Sequence, residues 1–269
     1  VNHQSVPFQN LDHAFLFWKG TILLYFLGVK KHLTRYLLEF AVIVAGITIS
    51  FWINEWDSRK DDSVRQLHYI TGLLSDLEKQ LLLFDDHIEF SNSSISNCDS
   101  ILNEFKAKGN LSSIDDINDK LSRLMYSHKY PEVNTIFNEL ESTGQFDLIN
   151  NDSLTSKIIK YYQNSNNYSN RVNANMDVVY YQEIFPIIKS SIVIEPQNFG
   201  YKEKNIELFD SLSGKFYKGL SEPAKEFDLV NAISLSIVVS NTNRSYVATI
   251  KKEAEELLFA LEKELVQIQ

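Results

Sequence analysis

The hydrophobic positions fall into two regimes that meet near residue 60. Residues 36–53 (YLLEFAVIVAGITISFWI) are almost continuously apolar. The segment NEWDSRKDD leads from them into a repeat with apolar or small residues three and four apart. Its members are Leu67, Ile70, Leu74, Leu77, Leu81, Phe84, Ile88, Ser91, Ile95, Cys98, Leu102 and Phe105. The first run is long enough to cross ~30 Å of hydrocarbon as a helix. The second marks the apolar face of a long amphipathic helix. Only Gly72 weakens the pattern, so one helix is predicted from residue 36 to Lys108, on the order of 110 Å long at 1.5 Å per residue. Gly109 and Asn110 end it.

The remaining chain also reads as helices. Ser112, Ser113, Asp115 and Asp116 open a short one through Met125, and Tyr130-Pro131 breaks the pattern. Residues 134–143 (NTIFNELEST) form another, stopped by Gly144, with Phe146, Leu148 and Ile149 tucked behind it. Ser153 caps a long helix to about Phe185, with Leu154, Ile158, Tyr161, Tyr162, Val172, Met176 and Val179 inward and Pro186 closing it. Residues 190–225, rich in Gly and Pro, read as irregular with a short helix at residues 206–212. A last long helix runs from Pro223 to Ile268, with Ala254, Leu258, Leu261, Leu265 and Ile268 on its apolar face. Amphipathic helices must bury their stripes against one another, and a left-handed four-helix-type bundle is the expected arrangement.

Ahead of the apolar run, residues 14–29 are apolar but short and interrupted by Lys19 and Gly20. They are expected to lie along the membrane surface, with a first span of a two-span hairpin as the alternative. A cleaved signal peptide lacks support, because a basic leader and a small-residue cleavage site are missing. Lys30, Lys31 and Arg35 flank residues 36–53 on one side, and Trp52 and Trp56 suit an aromatic belt on the other. The basic residues before the span outnumber Arg59, Lys60 and Arg65 after it by one, favouring a cytoplasmic N-terminus and an external C-terminal domain. The expected organisation is a tail with an interfacial helix over residues 1–35, a transmembrane helix over 36–56 and a helical-bundle domain over 57–269.

Composition removes several classes of function. Among 269 residues, 35 acidic against 26 basic side chains give a net charge of −9, which argues against a nucleic-acid partner. A single cysteine, Cys98, makes no internal disulfide or cysteine metal site, and its place on the stripe marks it as a buried thiol. The six histidines fall in no zinc-ligand spacing. Asp85, Asp86, His87 and Glu89 read as a solvated charged face. Neither a phosphate-binding glycine loop nor a nucleophile elbow is present. The chain reads as not an enzyme, with no cofactor.

Several segments resemble one family. A basic stretch precedes a span ending in "IN-W", here residues 36–56, and a charged start, DSRKDD, leads into a long helix containing YITGLLSDLEKQL. FNELESTGQFDLINNDSLTSKIIKYY is similar to the family's most distinctive motif: a glutamate-leucine helix, a glycine turn, an "LI-N" tuck and a new helix ending in tyrosine. The C-terminal Glu/Leu helix fits as well. The family is a group of membrane-anchored proteins of Bacteroidota, classed as a domain of unknown function, and the resemblance covers about residues 33–268. It implies a bacterial inner-membrane location and an all-α architecture, with no activity attached.

Two constellations are candidates for function. Within the apolar run, Glu39, Gly46, Ser50 and Asn54 share one helical face. Small and polar residues on lipid-facing helices mark helix–helix contacts, so this face is expected to meet a second copy or a membrane-protein partner. The second constellation is a polar interruption in each long helix: residues 91–97, 163–171 and 240–245. Stacked at one height these form a polar pocket, with Arg171 and Arg244 as anion donors and Tyr168 as a stacking platform. The tyrosines at 161, 162, 168, 180 and 181 read as bundle core with hydroxyls at its edge. The reading is therefore an all-α, membrane-anchored helical bundle that acts by binding, as an envelope scaffold, sensor-like module or accessory subunit. The alternative is a homo-oligomeric channel with the Glu39, Gly46, Ser50 and Asn54 face lining a pore.

Overall fold

The computed structural model describes residues 11–200 and 209–268, with side chains from residue 36 onward apart from 58, 197 and 198. Those residues are all-α, with no strand among them. The helices are α1 (Leu11–Lys108), α2 (Ile117–Ser122), α3 (Thr135–Thr143), α4 (Asp152–Ala174), α5 (Phe185–Ser190), α6 (Phe209–Leu220) and α7 (Pro223–Ile268). A π-helical segment, Asn175–Ile184, joins α4 to α5. The chain divides into two compact units, Val1–Asp62 and Ser63–Gln269.

In the first unit, the described side chains at residues 36–57 are all exposed. The most apolar 18-residue stretch has a mean hydropathy of 2.0 and none of it is buried, so this is one helix long and apolar enough to cross a membrane. Its hydroxyls are satisfied within the helix: Thr48 donates to the Val44 carbonyl and Ser50 to the Gly46 carbonyl, both at 2.8 Å. Neither the Thr48 nor the Ser50 hydroxyl needs a partner outside the helix. The side chains of residues 14–29, and with them the expected interfacial helix, lie outside the described residues.

In the second unit, α1 ends at Lys108, followed by Gly109 at φ +80°. Asn110, not a serine, caps the next turn by accepting from the Ser113 amide at 2.8 Å. The helix expected to open at Ser112 forms in three pieces: a 3-10 turn Leu111–Ser113, then α2, then a 3-10 turn Arg123–Met125. Residues 126–134 carry no helix and form a strap back to α3. Gly144, at φ +66°, closes α3 in the left-handed conformation that glycine adopts without a Cβ clash. Asn151 rather than Ser153 caps α4, accepting from the Leu154 amide at 3.1 Å.

Pro186 does not end the third long helix. It occupies the first turn of α5, where a missing N–H costs nothing, and the helix continues to Ser190. The expected short helix at residues 206–212 falls partly outside the described residues. The helix found there extends further than expected: α6 runs through Gly214 and Gly219 to Leu220. Helix α7 has the expected bounds, Pro223–Ile268.

The core has two apolar parts. One gathers Ile70, Leu73, Leu77 and Phe84 of α1 with Leu140, Ile158, Tyr161, Val172, Val247, Ile250, Ala254 and Leu261. The other gathers Cys98 and Ile101 of α1 with Leu121, Met176, Tyr180, Ile184, Ile188, Leu229, Ile233 and Val239. The stripe on α1 is rotated from the expected one. Ile70, Leu77, Phe84, Ser91 and Cys98 are buried, but Leu67, Leu74, Leu81, Ile88, Ile95 and Leu102 are only half-buried. The other side of the seam is Gln66, Leu73, Asp76, Gln80, His87 and Ile101.

Candidate functional site: a polar waist between two cores

Three helices pass from one apolar cluster to the other at the same place. On α1 the change falls between Phe84 and Cys98, on α4 and the π segment between Val172 and Met176, and on α7 between Val239 and Val247. The residues at the change are polar. Helices α1 and α7 run antiparallel, since Asp85 pairs with Lys251, Asn92 with Arg244 and Ser94 with Ser240. Helices α4 and α7 are antiparallel as well, because Asn164 donates to Glu253 at 2.7 Å and Asn175 donates to Asn243 at 2.8 Å.

Two of the three expected polar interruptions therefore meet. Arg244 donates to Asn92 Oδ1 and to Asn241 Oδ1, both at 2.6 Å, and Ser240 donates to Ser94 at 3.4 Å. The third interruption lies off this level. Tyr168 packs against Tyr246 with ring centroids 5.5 Å apart, and the Arg171 guanidinium sits 5.8 Å from the same ring. Tyr168 and Arg171 thus converge on Tyr246, while Arg244 is turned toward Asn92 and Asn241. The residues at the level of Asn243 are Asn175 and the first turn of the π segment.

The waist holds a small, partly open cavity of about 30 Å³ whose walls include His87, Ser91, Ser94, Ser236, Ser240 and Asn243. A single water needs ~10–15 Å³ of such space, so the cavity has room for a water or two. The strap covers it with Tyr126, Ser127 and His128, and the π segment contributes Met176 and Tyr180. A π segment widens the turn and displaces side chains from their α-helical positions, which is why such segments recur at functional sites. Tyr180 uses its hydroxyl to fix the chain just before the strap, donating to the Leu124 carbonyl at 2.7 Å.

The strap is held at both ends by different means. At its far end, Gln80 acts like a piece of backbone: its amide donates to the Pro131 carbonyl at 2.8 Å and its oxygen accepts from the Val133 amide at 2.6 Å. The Tyr130 amide donates to Asn173 Oδ1 at 3.1 Å, and the Tyr130 hydroxyl meets Ser165 at 2.8 Å. At its near end, Ser127 meets the Tyr181 hydroxyl at 2.9 Å and Lys129 pairs with Asp177 at 2.7 Å, both at the surface. His128 stacks on Phe90, with ring centroids 3.9 Å apart.

The sequence pattern puts His87 on a solvated face with Asp85, Asp86 and Glu89. Those three are exposed, but His87 turns inward and is 3% exposed. Its Nδ1 has no hydrogen-bond partner. Burial, reinforced by His128 nearby, lowers its pKa to about 4, and a hydrogen bond to the Lys129 backbone works in the opposite direction. His128 is also held below the usual imidazole range by burial, with Asp86 opposing. Both rings are therefore neutral at pH 7. A helical-wheel reading that follows apolar residues alone assigns His87 to the wrong side. The signal that finds it is its seven-residue spacing from Gln80 and Leu73, which are also buried.

Other candidates resolve as packing. Burial pushes the Cys98 thiol up to about 12, so it is an inert core group. Burial likewise raises the phenols of Tyr130, Tyr161, Tyr162 and Tyr180 well above their ordinary value. No group of three or more His, Cys, Asp or Glu is arranged to hold a metal ion among the described residues. In the first unit, Gly46, Ser50 and Asn54 share one shallow concavity with Ile43 and Asp57, and Gly46 has open space over its Cα. The chain matches no known protein-family model, no curated protein and no solved structure.

Proposed function

We propose that this chain is a single-pass membrane protein whose helical domain acts by binding, as an envelope scaffold, sensor-like module or accessory subunit of a membrane assembly. The observation that carries the reading is the bare, almost continuously apolar surface of α1 over residues 36–53, exposed on every side. Burying each Leu, Ile, Val or Phe there gains about 1.5–3 kcal/mol, and lipid is the surrounding that supplies this without a protein partner on every face. The resemblance to the Bacteroidota family supports an inner-membrane location. The basic residues ahead of the span support a cytoplasmic N-terminus and a periplasmic domain. No feature of the site supports an enzyme.

The same proposal assigns the face carrying Glu39, Gly46, Ser50 and Asn54 to contact with a second copy or a membrane-protein partner. A glycine with open space above it lets another helix approach closely. Gly46→Leu is expected to reduce the oligomer size of the detergent-solubilised protein in mass photometry, and an unchanged size contradicts the assignment. A second reading, a homo-oligomeric channel, is favoured by the concavity that Gly46, Ser50 and Asn54 share with Asp57. Conductance in planar bilayers that falls in Ser50→Leu supports the channel, and its absence supports the binding module.

A further inference from the structure

The waist holds a buried ring nitrogen, His87 Nδ1, without a hydrogen-bond partner, and the strap that covers it is fastened unevenly. We propose that His87 and the strap at residues 126–129 form an acid-released latch. It is closed while both imidazoles are neutral and opens when His87 takes up a proton. The inference concerns Ser63–Gln269 and stands apart from the membrane assignment.

Three features of the geometry make the latch. First, His87 faces His128 of the strap, with ring centroids 6.4 Å apart. A proton on His87 therefore appears beside another basic ring. Second, no counter-charge faces His87, and its hydrogen bond to the Lys129 backbone offsets the cost of burial only in part. On the strap the titratable groups are Tyr126, His128 and Lys129, and Lys129 is committed to Asp177. On the π segment the facing group is Tyr180, whose hydroxyl is committed to Leu124. On α7 the facing residues are Ser236, Val239, Ser240 and Asn243, and the nearby Arg244 is engaged by Asn92 and Asn241. On α1 itself, Asp85, Asp86 and Glu89 point out to solvent. A buried charge without a counter-charge is costly, so the protonated ring favours whatever arrangement lets water reach it.

Third, the strap has a natural hinge. Its far half is tied to α1 and α4 by Gln80, Asn173 and Ser165, none of which titrates. Its near half rests on one hydroxyl contact and one exposed ion pair, which are weak fastenings, together with the stack of His128 on Phe90 and the hydrogen bond between His87 and the Lys129 backbone. Opening at residues 126–129 brings water to the serine-lined cavity and to the first turns of the π segment, while Tyr130 and both apolar clusters stay packed. In the open arrangement the His87 ring recovers its ordinary value of 6.5, against about 4 when closed. Linkage then raises the opening constant about tenfold at pH 5.5 and roughly seventyfold at pH 4.5, relative to pH 7.5.

The test is hydrogen–deuterium exchange of the full chain in lipid nanodiscs at pH 7.5, 5.5 and 4.5, with rates corrected for the intrinsic pH dependence of amide exchange. The expected result is a loss of protection at Tyr126 by about these factors, with Tyr130, Leu140 and Ile158 unchanged. His87→Gln, which cannot be protonated, is expected to hold the strap amides at their pH 7.5 protection throughout. His128→Gln keeps a reduced rise, because the second basic ring is gone but the burial of His87 remains. Constant protection at Tyr126 overturns the latch. So does a parallel rise at Leu140 and Ile158, an undiminished rise in His87→Gln, or complete loss of the rise in His128→Gln. Should His87→Gln fail to fold, the wild-type comparison of strap and core amides together with His128→Gln decides the matter.

Discussion

Gly72 of α1 lies directly beneath Ile136 of α3: a methyl group on residue 72 would sit 2.8 Å from Ile136 Cγ1 and 3.0 Å from its Cδ1. The glycine that weakens the helical pattern is there so that α3 can dock. Next to it, Asp76 accepts from the Ile136 amide at 2.9 Å and so satisfies one of the bare N–H groups at the start of α3. The contact point is both tight and polar.

Gly72→Leu is expected to lower stability by about 1–3 kcal/mol, the usual cost of forcing extra methylenes into a packed contact. Gly72→Ala gains about 1 kcal/mol of helix propensity against part of that cost, so its net effect is smaller. Combining Gly72→Ala with Ile136→Val should recover more than the two single changes sum to, because they share one contact. Urea unfolding of the four proteins measures this, and strict additivity contradicts the contact.

Gln80→Leu is expected to be worse than its buried position alone suggests. The change leaves the Pro131 carbonyl and the Val133 amide without their partner, at about 1–3 kcal/mol for each group left bare. Gln80→Glu keeps the acceptor for Val133 but turns a second oxygen toward the Pro131 carbonyl, so it is expected to be destabilising as well. Thermal unfolding and proteolysis within residues 126–134 report both effects.

Stability should fall as the solution is acidified, with His87 as a main contributor. Its folded pKa, about 4, lies below the ordinary 6.5, so the unfolded chain binds the extra proton between those values. The contribution is complete above pH 6.5, falls as the pH drops toward 4, and is fully lost below it, amounting to about 3 kcal/mol in all. Urea midpoints at pH 7.5, 5.5 and 4 measure it. In His87→Gln this part of the slope should vanish, and an unchanged slope assigns the acid sensitivity to other groups.

Much of the architecture is legible in the chain because it is written in spacing and breakers. Gly109 and Gly144 mark helix ends that the structure places at Lys108 and Thr143, and Pro223 and Ile268 bound α7 as expected. The hidden part is polar or locally unusual. The buried side of α1 includes Gln66, Asp76, Gln80 and His87, which an apolar template discards although each sits in the seam. Val172, Met176, Tyr180, Ile184 and Ile188 are buried at steps of four. In a regular α-helix such a row drifts by about 40° per step, and the wider π turn is what keeps it inward. Helix α6 escapes the pattern because Gly214 and Gly219 count against helix in isolation, yet Phe216 and Leu220 bury enough apolar surface to hold it.

The polar waist is half legible. Runs of Ser and Asn in α1 and α7 point to a meeting level, and Asn92 with Arg244 and Ser94 with Ser240 occupy it. The sequence puts its third wall too early on α4, since the level falls at Asn175 rather than at Arg171. Heights along antiparallel helices depend on loop lengths and on the π segment's extra residue per turn, neither of which shows as periodicity. Of the covering strap, the sequence shows only a break at Tyr130-Pro131.

The central claim is that residues 36–56 hold the full chain in a bilayer, and alkaline carbonate extraction of membranes from cells making the full chain tests it most directly. The account predicts that the protein stays in the membrane pellet after the wash and floats with lipid in a density gradient. Release of the intact chain into the carbonate supernatant would contradict it.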